Sequence, residues 1–224
     1  AIFDLAKSFG DENIAPYALE WEESQNIPKS LWRDIASLGF GGLYVSEANG
    51  GSGLSRLDAT LVFEALSMAC PSVAAFLSIH NMCASMIDRY GSKNLIERVL
   101  PGALSMENVI SYCLTEPASG SDASALKTNA KKTNEYYNIN GTKSFISGGG
   151  YSDSYLVMCR TGNLGPKGIS TIYIEDGTEG LSFGSLEQKM GWRSQPTRQV
   201  HMDSCKVPLS NLVGEEGHGF NYAM

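Results

Sequence analysis

The sequence predicts an α+β protein of two domains, an all-α helical domain followed by an antiparallel, barrel-like β-domain. Up to about residue 107 the apolar residues recur at helical spacing. From Val109 onward they form short runs rich in β-branched and aromatic residues, separated by turn signals. A length of 224 residues with 42% hydrophobic side chains is enough for two cores. We therefore expect a helical domain over residues 1–107 and a β-domain over residues 108–215.

The first clear helix of the helical half lies around residues 31–38. Leu31, Ile35 and Leu38 fall on one face, Pro28 stands near the start, and Gly39 follows the end. Proline is favoured in the first turn of a helix and glycine just after the last turn. These residues predict a short amphipathic helix.

Two longer helices are predicted next. Ser55 and Asp58 have the spacing of a capping box and should open a helix that ends before Pro71. The following segment, residues 71–90, is apolar on most faces but carries Ser78 and other polar residues, and Gly91 ends it. Such a helix is buried among others and is a candidate to line a cavity.

The second half contains the strand signals. Residues 136–139 and 142–146 flank Asn140-Gly141, a pair that favours a type I′ turn, so we expect a hairpin there. Glycine and proline break the chain between the later runs. Further strands are predicted at Tyr155–Cys159, Ile169–Glu175 and Arg198–Met202.

Composition excludes several classes of function. The chain has 17 Lys and Arg against 24 Asp and Glu, a net charge of −7, and no basic run that could neutralise a phosphate backbone, so nucleic acid is a poor candidate partner. No stretch approaches the ~18 apolar residues of a membrane span. The five cysteines are scattered and odd in number, which favours a reducing compartment, and the three histidines lack metal-ligand spacing.

Two glycine-rich stretches, residues 50–53 and 148–150, lack the spacing of a phosphate-binding motif, and we interpret them as a connecting loop and a wide turn. The more informative segment is residues 112–122, where a strand runs into a loop rich in hydroxyls and exposed amides. Residues 143–148 end another strand with an aromatic ring and a hydroxyl. An aromatic ring and a hydroxyl would suit a flavin, although ordinary packing and turn roles account for the same residues.

The motifs themselves resemble those of the acyl-CoA dehydrogenase family over essentially the whole chain. CLTEPASGSDASA at residues 113–125 is similar to the family's first signature. GGSG, NGTKSFISGG, PKGIS, EQKMGWRSQPTR and VGEEGHGF follow the family order. Within the family the likeness is to members that act on a short branched-chain acyl-CoA, such as isobutyryl-CoA from valine breakdown.

The resemblance implies a third, C-terminal four-helix domain that is absent from these residues, with 216–224 as the start of the connection to it. It implies FAD as cofactor, and a catalytic Glu in the missing domain, so that no catalytic residue lies in this chain and the piece is expected to be inactive alone. The absence of a starting Met agrees with a processed or excised chain. Glu116 and Asp122 are interpreted as loop structure and not as bases.

The resemblance also assigns the binding residues. Thr115 and Ser147 would bond the flavin ring, and Ser121 would contact the pantetheine arm of the substrate. Phe145 stands where many members have Trp, and Ala118 where many have Gly. The predicted cofactor-binding residues are Tyr112, Cys113, Leu114, Thr115, Gly120, Ser121, Phe145, Ile146 and Ser147. The predicted substrate-binding residues are Ser78, Ile79, Met82 and Ser121.

The remaining expectations concern partners. The family passes electrons to electron-transfer flavoprotein, works in the mitochondrial matrix and forms homotetramers when full length. Three alternatives stay open: another short- or branched-chain acyl-CoA dehydrogenase, an acyl-CoA oxidase, in which oxygen takes the electrons, and a scaffold that kept the fold and lost the chemistry.

Overall fold

The computed structural model describes residues 1–224, and the first half of the chain is helical. The helices α1 to α6 span Ile2–Asn13, Ala18–Ser24, Lys29–Ser37, Arg56–Ala69, Pro71–Tyr90 and Lys93–Leu104. None of them combines the length and the apolar character that crossing a bilayer requires. The predicted order, helices first and strands second, is confirmed.

Local signals set the helix boundaries. Helix α3 begins directly after Pro28, and Gly39 beyond its end has φ +80°, a left-handed conformation that favours glycine. Helix α4 is capped as predicted, because the Ser55 hydroxyl accepts from the Asp58 N–H while the Asp58 carboxylate accepts from the Ser55 N–H. Helix α5 begins at Pro71 and buries most of its faces.

The second half forms one eight-stranded sheet. Strands β1 to β8 span Ile110–Cys113, Asn129–Lys132, Tyr136–Ser147, Ser154–Arg160, Ile169–Glu175, Leu181–Phe183, Thr197–Pro208 and Leu212–Val213, and a short helix α7 follows at Gly219–Ala223. The strand order is β6-β7-β3-β2-β4-β5-β8, and β1 pairs with β4. Since β4 runs parallel to both β1 and β2, the sheet is mixed, whereas the sequence predicted antiparallel pairing throughout.

The predicted hairpin at Asn140-Gly141 is wrong. Both residues lie inside the single long strand β3, which pairs along its length with β7 and shifts register between Ile139 and Gly141. A Cβ on Gly141 would lie 2.3 Å from the Thr128 hydroxyl oxygen, so the glycine allows close approach of the residue that precedes β2. Asn140 accepts from the Ser204 N–H. The Asn-Gly pair thus marks an irregularity within a strand and not a turn.

Three of the four apolar clusters contain nearly all the buried apolar residues of the chain. The helical core contains residues of α1 to α5, including the fully buried Trp32; the sheet core lies among the strands; and the junction core packs α5 and α6 against residues of β1, β4, β5 and β8. All five cysteines are buried and free. Cys70 lies in the helical core and Cys83 in the junction core, while the other three, Cys113, Cys159 and Cys205, lie in the sheet core.

His80 crosslinks the helices to the sheet. Its Nδ1 accepts from the Ile110 N–H of β1 at 3.0 Å, so its Nε2 carries the proton and donates to the Ala103 carbonyl of α6, also at 3.0 Å. Burial lowers the pKa of His80 to about 4, so the ring is neutral at pH 7. This geometry fixes α5 against both α6 and the first strand.

Candidate functional site

A cavity of ≈ 200 Å³ opens where helix α5 meets the ends of β1 and β3. It is lined by Ile79, Tyr112, Leu114, Thr115, Phe145, Ile146 and Ser147. All seven belong to the set of site residues predicted from the sequence. The chain contacts that bring them together are non-local, because α5 packs on β1 and β1 lies beside β3.

Strand β1 supplies the floor of the cavity. Successive side chains of a strand alternate between faces, so Tyr112 and Leu114 face the cavity while Cys113 between them is fully buried in the sheet core. The Tyr112 hydroxyl is buried and has no hydrogen-bond partner. Burial raises the pKa of Tyr112, so the hydroxyl keeps its proton. A buried hydroxyl without a partner is costly, and here it belongs to a residue that lines the cavity.

Strand β3 supplies the wall through a local distortion. Its register against β7 shifts between Lys143 and Ile146, and Phe145 within that shift has φ +59°. A left-handed φ is uncommon for a bulky residue, and such strain clusters at functional sites. The distortion turns the Phe145 ring outward, where it is 67% exposed. Ile146 after it points inward and is buried.

The loop after β1 places Thr115 opposite this wall. The Thr115 carbonyl accepts from the Ser144 N–H at 2.8 Å, so the loop is tied to β3 one residue before Phe145. Ser147 is held in turn, since its carbonyl accepts from the Ser111 hydroxyl of β1 at 2.5 Å. Two hydroxyl-bearing residues and an aromatic ring therefore border the same small space.

The other predicted residues lie elsewhere. Gly120 and Ser121 are exposed in the loop after β1. Ser78 lines a groove between α4, α5 and Trp192, and its hydroxyl donates to the Ala75 carbonyl. Met82 lines a depression between α5 and α7.

Glu116 and Lys143, which the sequence analysis did not place in the site, form a buried ion pair directly behind Thr115. Their Oε1 and Nζ atoms are 2.8 Å apart. Burial by itself raises the pKa of Glu116, but the Lys143 ammonium and the N–H groups of Thr128 and Lys127 lower it below its usual value. The expectation that Glu116 serves loop structure agrees with these bonds. The sequence signal for this pair was Lys143, a charged residue within a predicted strand that also carries β-branched and aromatic residues.

The loop around Trp192 was also missed. Lys189 donates to the carbonyls of Trp192 and Gln195 and to the Thr197 hydroxyl, which closes the loop around its ammonium. The Glu22 carboxylate of α2 accepts from the Ser194 N–H and fixes the loop to the helical half. Trp192 has φ +56° and is 52% exposed. The motif EQKMGWRSQPTR, noted in the sequence, contains this loop, but the sequence analysis assigned no role to Trp192.

The lining chemistry fits one end of a flat heteroaromatic group. An exposed aromatic ring offers a packing surface, and the Tyr112 hydroxyl and the two hydroxyl-bearing residues offer hydrogen bonds. The volume is below the ~300–1,000 Å³ of pockets that enclose a whole small molecule, so most of a larger cofactor would lie outside it. No acidic or basic residue lines the cavity.

Comparison with known proteins extends these observations. Two family models match the chain: the acyl-CoA dehydrogenase N-terminal domain over residues 1–107 and the acyl-CoA dehydrogenase middle domain over residues 111–205. The mitochondrial isobutyryl-CoA dehydrogenase of Dictyostelium discoideum is 53% identical over 221 residues, which cover 98% of this chain and 53% of that protein. The chain spans about half the length of the curated relatives it matches.

Solved structures give the same result. A chain in the structure of the electron transferring flavoprotein of Acidaminococcus fermentans has a TM-score of 0.94 at 34% identity, covering 99% of this chain and 59% of that one. A chain in the FAD complex of PigA has a TM-score of 0.93 at 28% identity, with coverages of 99% and 59%. Both likenesses extend over the helices and the sheet together.

Proposed function

Because this chain belongs to the acyl-CoA dehydrogenase family, we propose that the full-length protein is an FAD-dependent enzyme that dehydrogenates a short branched-chain acyl-CoA between its α and β carbons. The observation that carries the proposal is the cavity where Thr115, Phe145 and Tyr112 meet Ile79 of α5. The 53% identity to an isobutyryl-CoA dehydrogenase favours isobutyryl-CoA as the substrate.

The proposed roles of the residues follow from their positions around the cavity. Thr115 and Ser147 would hydrogen-bond the flavin ring, Phe145 and Ile146 would pack against it, and Tyr112 would offer its unpartnered hydroxyl. Leu114 excludes water beside them. Cys113, whose side chain lies in the sheet core, contributes through its main chain only. When bound, FAD would supply the acceptor for the β-hydrogen, which leaves as hydride.

Of the proposed substrate residues, one borders this cavity and the others line adjoining depressions or the exposed loop. Ile79 borders it directly and is placed to limit the size of the acyl group. Ser78 and Met82 flank Ile79 on α5 at the entrances of neighbouring depressions. The exposed loop carrying Gly120 and Ser121 is open to a long flexible ligand, as the pantetheine arm of coenzyme A is.

Removal of the α-proton needs a base, and we propose that residues outside this chain provide it. No carboxylate lines the cavity. Glu116 is the nearest acid in sequence. Its Oε1 accepts from the Lys143 ammonium and the Thr128 N–H, and its Oε2 accepts from the Lys127 N–H. These three bonds commit the Glu116 carboxylate to holding the loop, and Glu116 does not line the cavity.

Three wider aspects belong to the same proposal. Residues 1–107 and 108–215 form two domains, and 216–224 lead toward a third. The electron acceptor is an electron-transfer flavoprotein, supported by the similarity to a chain in such a structure. The full-length protein works in the mitochondrial matrix as a homotetramer, and the mitochondrial relative supports the compartment.

The test is an anaerobic titration of the full-length holoenzyme with acyl-CoA while the flavin absorbance is recorded. Isobutyryl-CoA should bleach the flavin at lower concentration and faster than butyryl-CoA or 2-methylbutyryl-CoA. Reoxidation by electron-transfer flavoprotein but not by oxygen separates the dehydrogenase from an acyl-CoA oxidase. A protein that binds FAD but is not bleached by any of the three would instead favour the non-catalytic scaffold.

A further inference from the structure

The buried ion pair between Lys143 and Glu116 is unusual for its position. The Lys143 side chain is 0% exposed and that of Glu116 6%. Glu116 directly follows the cavity residue Thr115, and Lys143 stands two residues before Phe145. The pair therefore joins the two lining segments of the cavity, the loop after β1 and the distorted end of β3.

Each partner makes further bonds that fix the loop. The Lys143 ammonium also donates to the Leu114 carbonyl at 2.9 Å. The Glu116 carboxylate accepts from the N–H groups of Lys127 and Thr128, at 2.7 and 2.9 Å, and so closes the loop between residues 116 and 128. With the bond from the Ser144 N–H to the Thr115 carbonyl, residues 114–116 are attached to β3 at consecutive positions.

Stability alone does not explain such a pair. Two charges lose their hydration when they are buried, and their attraction often does no more than offset that loss. Replacement of a buried pair by neutral or apolar side chains of similar size is frequently tolerated. What this pair provides, and an apolar contact does not, is a fixed direction and length between two backbone segments.

We propose that Lys143 and Glu116 are positioning residues, which set the separation between Thr115 and the Phe145 segment and thereby the affinity and reduction potential of the flavin bound between them. The flavin part of this inference rests on the proposed function. The positioning part concerns the backbone of the chain itself. Neither side chain touches the cavity, so both act through the residues that line it.

The test compares a neutralised pair with a matched control. In Lys143→Met/Glu116→Gln both side chains keep their approximate size and lose their charge. The control is Lys7→Met/Asp11→Asn, which removes an exposed ion pair on α1 with a 2.5 Å contact, far from the cavity in sequence and fold. Both are made in the full-length protein, and urea unfolding confirms that each is folded.

The first readout is FAD binding to the apoprotein. The neutralised pair should weaken FAD binding by ~10-fold or more and shift the flavin midpoint potential and visible spectrum, because small misplacements of positioned groups have large effects. The control variant should bind FAD as the wild type does. A folded Lys143→Met/Glu116→Gln variant with unchanged affinity, potential and spectrum would overturn the proposal.

The second readout needs no flavin. Amide hydrogen exchange of the Ser144, Lys127 and Thr128 N–H groups should accelerate in the neutralised pair by ~10-fold or more relative to core amides of β4. In this variant, local opening of the loop no longer costs the free energy of breaking the ion pair. Unchanged exchange at these amides would refute the positioning role. If the wild type binds no FAD while the exchange result holds, the proposed function fails and the positioning of the loop stands.

Discussion

Trp32 of α3 donates its indole N–H to the hydroxyl oxygen of Tyr151 across 2.7 Å, and Tyr151 in turn donates to the Ile27 carbonyl across 2.7 Å. Tyr151 lies in the turn after β3, so these two bonds join the helical half to the sheet immediately beside the cavity wall. Lys29 and Asp153 form an ion pair next to them at 2.6 Å. The placement of α3 against the β3 turn is thereby determined by hydrogen bonds as well as by apolar contact.

Substitution of Tyr151 by Phe should destabilise the protein by about 1–3 kcal/mol, because it leaves the buried Trp32 N–H and the Ile27 carbonyl without partners. The measurement is the free energy of unfolding in urea. Tyr17→Phe is the control, since the Tyr17 ring is exposed and stacks on Trp21 with or without its hydroxyl. Equal stabilities of the two variants would contradict the expectation.

Acidification should weaken the fold through His80. Burial lowers the pKa of its ring to about 4, whereas in the unfolded chain it lies near ~6.5, so the unfolded state binds more protons between these values. The contribution to stability is fully present above the unfolded pKa and is lost as pH falls toward the folded pKa. It amounts to about 2 kcal/mol between pH 7 and pH 5.

Urea unfolding at the two pH values measures this loss, and His80→Gln should lose correspondingly less stability on acidification than the wild type. His218→Gln, which removes an exposed histidine, is made and measured alongside it as the control for loss of an imidazole. If His80→Gln does not fold, a proton NMR titration of the wild-type ring gives the pKa directly. A ring that titrates near ~6.5 would refute the expectation.

Gly148 should tolerate no side chain. Its φ is +80°, and a Cβ would lie 2.3 Å from the Ser111 hydroxyl oxygen and 2.7 Å from the Phe76 ring. Strain and overpacking together should make Gly148→Ala cost about 2–5 kcal/mol in the free energy of unfolding. Gly191 has nothing within 4 Å of such a Cβ, so Gly191→Ala should leave stability nearly unchanged.

Tyr112→Phe should change the free energy of unfolding differently from the same substitution at a buried tyrosine whose hydroxyl is hydrogen-bonded. Because the Tyr112 hydroxyl is buried without a partner, its removal should leave the stability of the ligand-free protein unchanged or raise it by up to ~1 kcal/mol. FAD affinity should fall if the hydroxyl bonds the ligand. Tyr173→Phe is the comparison, since the Tyr173 hydroxyl accepts from the Asn108 side chain at 2.9 Å and its loss should cost about 1 kcal/mol.

Ile79→Ala should relax the acyl-chain preference of the full-length enzyme. The side chain borders the cavity, and each methylene accommodated or excluded in such a pocket changes kcat/KM by ~10–200-fold. Rates with isobutyryl-CoA and with longer straight-chain acyl-CoA substrates measure the shift. Leu57→Ala, at an exposed position of α4, should keep the wild-type profile, and an unchanged profile in Ile79→Ala would argue against this position for the acyl group.

The helices could be predicted because their signals are local. Ser55 and Asp58 cap α4 through bonds between residues three apart, and Pro28 and Gly39 delimit α3 within a single segment. The positions of β4, β5 and the first part of β7 followed from composition, whereas β2, β6 and β8 were not predicted. Asn140-Gly141 misled the prediction because what decides between a turn and a bulge is the partner strand, and β7 lies some sixty residues further along the chain.

The candidate site also contains parts that local sequence motifs predicted and parts that depend on contacts between distant segments. The segments that carry Thr115 and Phe145 were identified by their motifs, and their common cavity depends on β1 lying close to β3. The Lys143–Glu116 pair was not predicted, since a lysine and a glutamate 27 residues apart become partners only when both segments are buried together. Trp192 was missed because Glu22 and Lys189 create its loop, and no local pattern joins them.

The burial of every cysteine makes the thiols a set of built-in conformational probes. A thiol reagent can modify a sulfur only after the segment around it opens, and burial raises the pKa of Cys113 and Cys159 to about 12, which further suppresses the reactive thiolate. Cys70 reports on the helical core, Cys83 on the junction core and Cys205 on the sheet core. Mass spectrometry of alkylated peptides over time would therefore reveal in which order the regions of the chain come apart, with no engineered label.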